Sequence, residues 1–349
     1  MYYQVLRQVN WLSRNKSIIS LILETIVTFL FIAGLILFLY IQFFEPPREF
    51  PDPADPAEEE VEPEEPPVID PVDESVIGMS EVFIREEFGS PIRIDASEYD
   101  FSWQTFHSNY DQYILFGIDE GQVVAAYSHL IILESSLDFM MNRQQVHDTF
   151  GEPLDFYPKA DGLYATTTNP TDYEVFDQGG YYLTAFYDVQ EGYRLTANMV
   201  VKKEKELAKP GFYGEMTPEI LRAFELQNFD IVNAERRRRG LPVFQWDERV
   251  AAVSRSHSAD MAENEYFDHI NLQGDGPYER LSRELPGAGT TSENLAAGGT
   301  AIHAHHGLMN SPGHRVNILR TGQTHMGVGA AYNPETIYIL YLTQLFTEL

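Results

Sequence analysis

The chain has 349 residues, no cysteine and a formal net charge of −29. That length allows two modest folded domains beside non-globular segments, and the ordinary apolar content allows at least one sizeable core. The missing cysteine excludes disulfides, thiolate metal ligands and a cysteine nucleophile. The acidity argues against nucleic acid as a partner, because such a field repels phosphate at long range.

The first predicted element is a membrane anchor. Thr25–Phe44 is a run of 20 residues without a charge, long enough to span a hydrocarbon core as a helix, and Ile18–Leu23 extends it. Arg7, Arg14 and Lys16 precede the span, while Glu45 and Glu49 follow it. Basic residues stay on the cytoplasmic side. Residues 1–17 are therefore expected as a cytoplasmic tail, 18–44 as a single-pass transmembrane helix at the cell membrane, and everything beyond as extracytoplasmic. A cleaved signal peptide is the alternative, but the apolar stretch is longer than a normal signal core and no small-residue cleavage site follows it. Residues 45–75 combine nine prolines with 13 carboxylates and read as a semi-rigid acidic stalk.

The middle region, 76–208, contains an internal repeat. Ile84-Arg-Glu-Glu-Phe88-Gly89-Ser-Pro91 and Val146-His-Asp-Thr-Phe150-Gly151-Glu-Pro153 lie 62 residues apart, and alternating apolar segments follow each. Each unit reads as a short helix stopped by Gly and Pro, then a small antiparallel sheet, with the Phe before the Gly as the helix's core anchor. Two repeats are too few for a solenoid, so one α+β domain of two similar halves is expected. His107, His129 and His147 have no metal-ligand spacing and read as structural or exposed. The region resembles the CAP-associated N-terminal domain of a group of bacterial proteins, a resemblance that implies a binding or spacing role and no activity.

The C-terminal region, 219–349, begins with a strong helix start at Thr217-Pro218-Glu219. That helix is expected to run through Ile220, Phe224, Ile231 and Ala234 to the basic run Arg236–Arg239, whose charges complement the helix dipole before Gly240. Asp247 caps a second helix, Glu248–Glu265, on which Val250, Val253, His257 and Met261 form one apolar stripe. His257 is expected to be a hydrogen-bonded core histidine. A further helix from about Thr300 ends near Asn310, and 326–332 and 336–346 read as two antiparallel strands joined at Asn333-Pro334.

These segments carry a dense resemblance. The runs WDERVAAVSRSHSADMAENEYFDH, SENLAAG, MNSPGHRVNIL and MGVGAAY, with Asn233-Ala-Glu-Arg236 before them, are similar in order to the motifs of bacterial CAP domains. That superfamily also holds cysteine-rich secretory proteins, insect antigen 5 and plant pathogenesis-related proteins. The resemblance implies a three-layer α-β-α sandwich with a cleft carrying two histidines and two acids. Carried over, the first His is His269, the Glu is Glu293 and the second His is His314. The second acid normally lies three residues after a Trp; here those positions hold Leu308 and Ser311.

His269, Glu293 and His314 suit a zinc-like divalent ion with water in an open position. Without metal, the same trio is a candidate for general acid–base catalysis with Ser311 nearby. The third reading is a hydrogen-bonded network that locks loops together. Arg280, Asn294 and Asn317 are expected to pin loops. His303 and His306, neighbours one helical turn apart beside His305, form a separate candidate chelating pair. Two function classes follow. The first is a surface-displayed module binding a lipid, glycan, peptide, other small ligand or metal ion at the cell envelope. The second is a metal-dependent or His/Glu-dependent peptidase or esterase. No HExxH or GxSxG motif is present, and the resemblance favours binding.

Overall fold

The computed structural model describes residues 75–129, 133–159, 162–166 and 172–349, all within one compact unit. The expected cytoplasmic tail, the anchor over 18–44 and all of the stalk except Ser75 lie outside the described residues. Among the described residues no helix is long and apolar enough to cross a membrane.

Helix α1 (Glu81–Phe88) is capped by Ser80, whose hydroxyl accepts from Phe83 N–H. Helix α2 (Arg143–Phe150) is capped by Asn142 and Gln145, each side chain accepting from the other's backbone N–H. They end at Gly89 and Gly151 with φ of 78° and 83° and ψ of −156°, a conformation close to glycine-only. The expected anchors Phe88 and Phe150 are only half-buried, and the fully buried residues are Ile84 and Val146, four positions earlier. In a two-turn helix the last residue hangs over the rim of the core. Phe88 meets Phe116 there at 5.4 Å, and Phe150 meets Phe176 at 5.9 Å.

The strands of the two halves merge. Strands β1 (Arg93–Asp95), β2 (Ser102–Phe106), β3 (Ile114–Asp119) and β4 (Gln122–Ser128) precede α2. A separate hairpin, β5 (Phe156–Lys159) with β6 (Gly162–Ala165), follows it, and then β7 (Tyr173–Asp177), β8 (Tyr181–Asp188) and β9 (Arg194–Lys202). Where two small sheets were expected, one seven-stranded antiparallel sheet forms in the order β1-β2-β3-β4-β9-β8-β7. The halves join where β4 pairs with β9, from Ala125↔Val201 to Ser128↔Asn198. Its first face packs under α1 and α2. Its second face carries Trp103, Leu115, Tyr127 and Phe186.

That second face is covered from the C-terminal side. After the short helix α3 (Lys203–Ala208), the long helix α4 (Pro218–Arg238) starts at Thr217 as expected. Beyond it come β10 (Gln245–Trp246), α5 (Glu248–Glu263), α6 (Pro277–Glu284), β11 (Thr291–Ala297), α7 (Ala301–Asn310), α8 (Pro312–Leu319), β12 (His325–Tyr332) and β13 (Leu340–Thr347). Ile231 and Ala234 of α4 and Ile302 of α7 complete the core against the seven-stranded sheet. The second sheet, ordered β10-β12-β13-β11, has helices on both faces. Met326 and Val328 face Phe229 and Val232 of α4. Gly327 and Gly329, on the opposite pleat, face α5.

Helix α4 thus lies between two sheets and is buried from Ala223 to Arg236 except at half-buried Leu226. Most of its buried polar side chains are paired rather than solvated, Gln227 Nε2 being an exception. Asp230 binds Arg93 of the N-terminal domain at 2.6 Å, and Asn233 exchanges two hydrogen bonds with the Phe244 backbone. Glu225 takes Arg222 and Arg255, each at 2.8 Å. The Arg236–Arg239 run does more than complement a dipole. Arg236 is buried over the Phe244 ring and donates to the carbonyls of Pro242, Ile318 and Arg320. Arg239, with Arg315 from α8, grips Asp188 and Glu191 of the N-terminal domain.

Three buried histidines sit at this junction. His306 stacks on Phe186 at 4.1 Å and shares a 3.0 Å hydrogen bond with the Tyr127 hydroxyl. Burial pushes His129 down to about 4, His305 down to about 3 and His306 well below the ordinary imidazole value. Unfolded histidines take up protons near pH 6.5 while these stay neutral in the fold, so acidification favours unfolding. Asp230 opposes the trend, because burial raises it to about 6 and it gains a proton in the fold. With His107 and His303 also pushed down to about 4, the balance predicts that stability falls by roughly 4 kcal/mol between pH 6.5 and 5.5. Urea denaturation at the two pH values measures it; equal stability would contradict it.

Candidate functional site

The candidate residues come from both layers around an edge strand. β11 pairs only with β13, and its side chains alternate between faces. Glu293 points toward α5 and α6, while Asn294 points toward α8 and the buried amides. The Ser292-Glu293-Asn294-Leu295 motif alone carries no strand signal.

On the first side, Glu293 is buried. Its Oε1 meets His269 Nδ1 at 2.9 Å, and its Oε2 accepts from Arg280 Nη2 at 2.5 Å. Arg280 also donates through Nη1 to the carbonyls of His269 and Asp275, so it fixes the loop that carries His269. His257 is the hydrogen-bonded core histidine expected, donating from Nε2 to Asp268 O at 3.0 Å. Donating a hydrogen bond to the Glu293 carboxylate raises the His269 pKa above its ordinary value.

On the second side, Asn294 donates to the His314 carbonyl and to Gln344, Asn317 donates to Asn294, and Gln344 donates to Asn228. This chain of amides ties α8, β11, β13 and α4 together. It holds the backbone at His314, whose Nδ1 lies 2.8 Å from Ser311 Oγ. Ser311 precedes Pro312 at the start of α8 but makes no side-chain cap there, so its hydroxyl turns to the imidazole instead. Burial, and then the charge of His269, lower the His314 pKa.

The four residues therefore form two pairs, His269 with Glu293 and Ser311 with His314. A zinc-like ion would need His269, Glu293 and His314 to converge with free lone pairs. Glu293 spends both oxygens on His269 and Arg280, and a guanidinium stands where it would repel a cation. Among the described residues no three His, Cys, Asp or Glu side chains are placed to hold a metal. The residues as arranged do not fit the ion. His303 and His306 do not chelate either: His303 Nδ1 bonds Thr300 Oγ1 at 2.8 Å, and His306 is held by Tyr127.

A cleft of about 710 Å³ opens beside the Ser311–His314 pair. That size lies within the range of small-ligand sites. Ser311 and His314 line it; His269 and Glu293 do not. Its floor is β11 and α7, with Gly298, Gly299 and Gly307 bare of side chains. Its far wall comes from the N-terminal domain and the segment joining the domains: Tyr164, Asp172, Tyr173, Phe212 and Tyr213. Gly211 and Gly214, with φ of 61° and 66°, turn the backbone on either side of Phe212-Tyr213. Sequence reading missed this wall. Aromatic residues between turning glycines in a connecting segment were a usable signal, whereas Asp172 enters only through tertiary packing.

Residues 77–212 match the family model of the CAP-associated N-terminal domain, and residues 229–346 match that of the cysteine-rich secretory protein family. The Bacillus subtilis membrane protein YlbC is 28% identical over 274 residues, covering 70% of this chain and 77% of its own. Among solved structures, an extracellular SCP-domain protein from Bacillus anthracis superposes with a TM-score of 0.67 at 24% identity, covering 82% of this chain and 99% of its own. A cysteine-rich secretory protein from Staphylococcus aureus gives 0.60 at 16% identity, covering 79% and 96%.

Proposed function

Since this chain is a bacterial CAP-domain protein with a CAP-associated N-terminal domain, we propose that it is a binding module at the cell envelope, taking its ligand in the cleft between the two domains. The observation that carries this reading is the cleft itself. It is roomy, both domains wall it, and rings that pack against one another line it. Tyr173 meets His303 at 4.7 Å, Phe212 meets Tyr213 at 5.0 Å and Tyr213 meets Tyr332 at 6.3 Å. Such packing fixes the rings before a ligand arrives, which lowers the ordering cost of binding.

Gly307 gives the test. It lies inside α7, and a Cβ built on it meets nothing nearer than Asp172 Oδ2 at 3.7 Å. Gly307→Phe fills the cleft, yet it removes a helix-interior glycine, worth about 0.5 kcal/mol of helix propensity when Phe replaces it. The variant is expected to be at least as stable as wild type. A panel of lipids, neutral and acidic oligosaccharides, peptides and divalent ions is scored by thermal shift of the full-length chain. At least one member should raise the melting temperature of wild type and not of Gly307→Phe. Equal shifts in both proteins, or none at all, would overturn the reading.

The proposed setting is a single-pass anchor over residues 18–44, with the N-terminus cytoplasmic and the stalk 45–75 holding the domains outside. The charge asymmetry around the span and the membrane relative support it. Protease added to intact cells should cleave the C-terminal domain; protection would contradict the orientation.

One observation favours a second reading, a hydrolase. Ser311 and His314 form a hydroxyl–imidazole pair within reach of a bound ligand. Incubation with a peptide and ester panel decides it: turnover that His314→Ala abolishes would establish catalysis, and its absence leaves binding.

A further inference from the structure

The lining of the cleft discriminates among ligand chemistries. Among the described residues it contains no Lys or Arg. His303 and His314 are held neutral by burial, His303 down to about 4. The one formally ionisable acid is Asp172, half-buried on the N-terminal wall, with its carboxylate above Gly307 of α7. Ser311, one helical turn beyond Gly307, holds the position where the resemblance placed an acid. The N-terminal domain thus brings an acid to a cleft whose own helix lacks it.

An anionic ligand meets no cation in the lining, since the nearby Lys209 lies behind Phe212 and is paired with Glu206, and it faces both Asp172 and the field of a chain with net charge −29. A purely apolar ligand would strip water from Asp172, His303, Ser311 and His314 without replacing their hydrogen bonds. A ligand with many hydroxyls and apolar ring faces satisfies both constraints. Half-buried Tyr164, Tyr173, Phe212, Tyr213 and Tyr332 supply flat apolar faces with polar tips. The bare glycines let a ring approach the backbone closely.

We propose that the cleft takes an uncharged oligosaccharide, and that Asp172, supplied by the N-terminal domain, orients it and excludes acidic ligands. This rests on the cleft being the binding site. Asp172 is a specificity-determining residue, so its substitution changes ligand preference more than stability.

The test titrates the full-length chain by calorimetry with neutral tetramers of glucose, mannose, galactose and N-acetylglucosamine, and with tetragalacturonate, palmitate and tetra-alanine. Wild type is expected to bind at least one neutral tetramer more tightly than any of the last three. In Asp172→Asn that affinity should fall about tenfold while tetragalacturonate gains at least tenfold, at an unchanged melting temperature. Tighter binding of palmitate, tetragalacturonate or tetra-alanine by wild type would overturn the ligand class. So would no binding of any neutral tetramer, or an Asp172→Asn variant with the same preference. Gly307→Phe separates the two levels. Binding that it abolishes belongs to the cleft whatever the ligand; binding that it leaves intact sinks the cleft reading itself.

Discussion

Arg280→Met is expected to lower the unfolding free energy by about 3–5 kcal/mol, because it leaves a buried carboxylate without its cation. Glu293 is 5% exposed and receives Arg280 Nη2 at 2.5 Å, so water cannot replace the guanidinium. The same substitution strips a donor from the carbonyls of His269 and Asp275, which Arg280 Nη1 reaches at 2.7 and 2.9 Å. Methionine matches the volume but supplies no proton. Urea denaturation at pH 7 measures the loss; one under 1 kcal/mol would show that Glu293 is solvated.

Gly329→Ala is expected to cost about 3 kcal/mol or more, at the upper end for an overpacked site. The added Cβ would lie 2.0 Å from Arg255 N and 2.3 Å from Ser254 C, both backbone atoms of α5. No rotamer change relieves such an overlap, so the helix must lift off β12. Lifting it also stretches the bonds from Ser254 and Ser258 to the carbonyls of Gly327 and Gly329, each 3.0 Å. Gly313→Ala is the control, since an added Cβ there meets nothing within 4 Å. It should change stability by less than about 0.5 kcal/mol. Similar losses at both positions would remove close packing as the cause.

Local signals were legible in the sequence wherever one or two neighbouring residues decide the structure. Thr217 with Pro218 starts α4, Asp247 caps α5, and the Gly-Pro stops end α1 and α2. Strand β13 begins at Leu340 rather than near 336, because Asn333 and Thr336 fold the intervening residues into a turn through their side chains. What long-range pairing decides was not legible. Nothing local in β4 or β9 announces that they pair and merge the two halves. Nor does anything local announce that Glu225, Asp230 and Glu235 of α4 each find an arginine inside the fold.

The candidate site divides the same way. His269, Glu293, Ser311 and His314 were found by motif, and the structure sorts them into two pairs with different surroundings. The expected convergence on a metal required Glu293 to be free, and Arg280, read only as a loop pin, takes its second oxygen. The opposite wall of the cleft, with Asp172, Tyr164 and Tyr173 of the N-terminal domain and Phe212 and Tyr213 of the connecting segment, lies far from these motifs in sequence and meets them only on folding.

Hydrogen exchange of the full-length chain tests the shared cleft most directly, run with and without whichever panel member stabilises wild type. Simultaneous protection of 210–214, from the connecting wall, and 295–311, from β11 and α7, is the predicted result. Protection confined to one of these segments, or centred on 266–280 around His269, would contradict a binding site built by both domains.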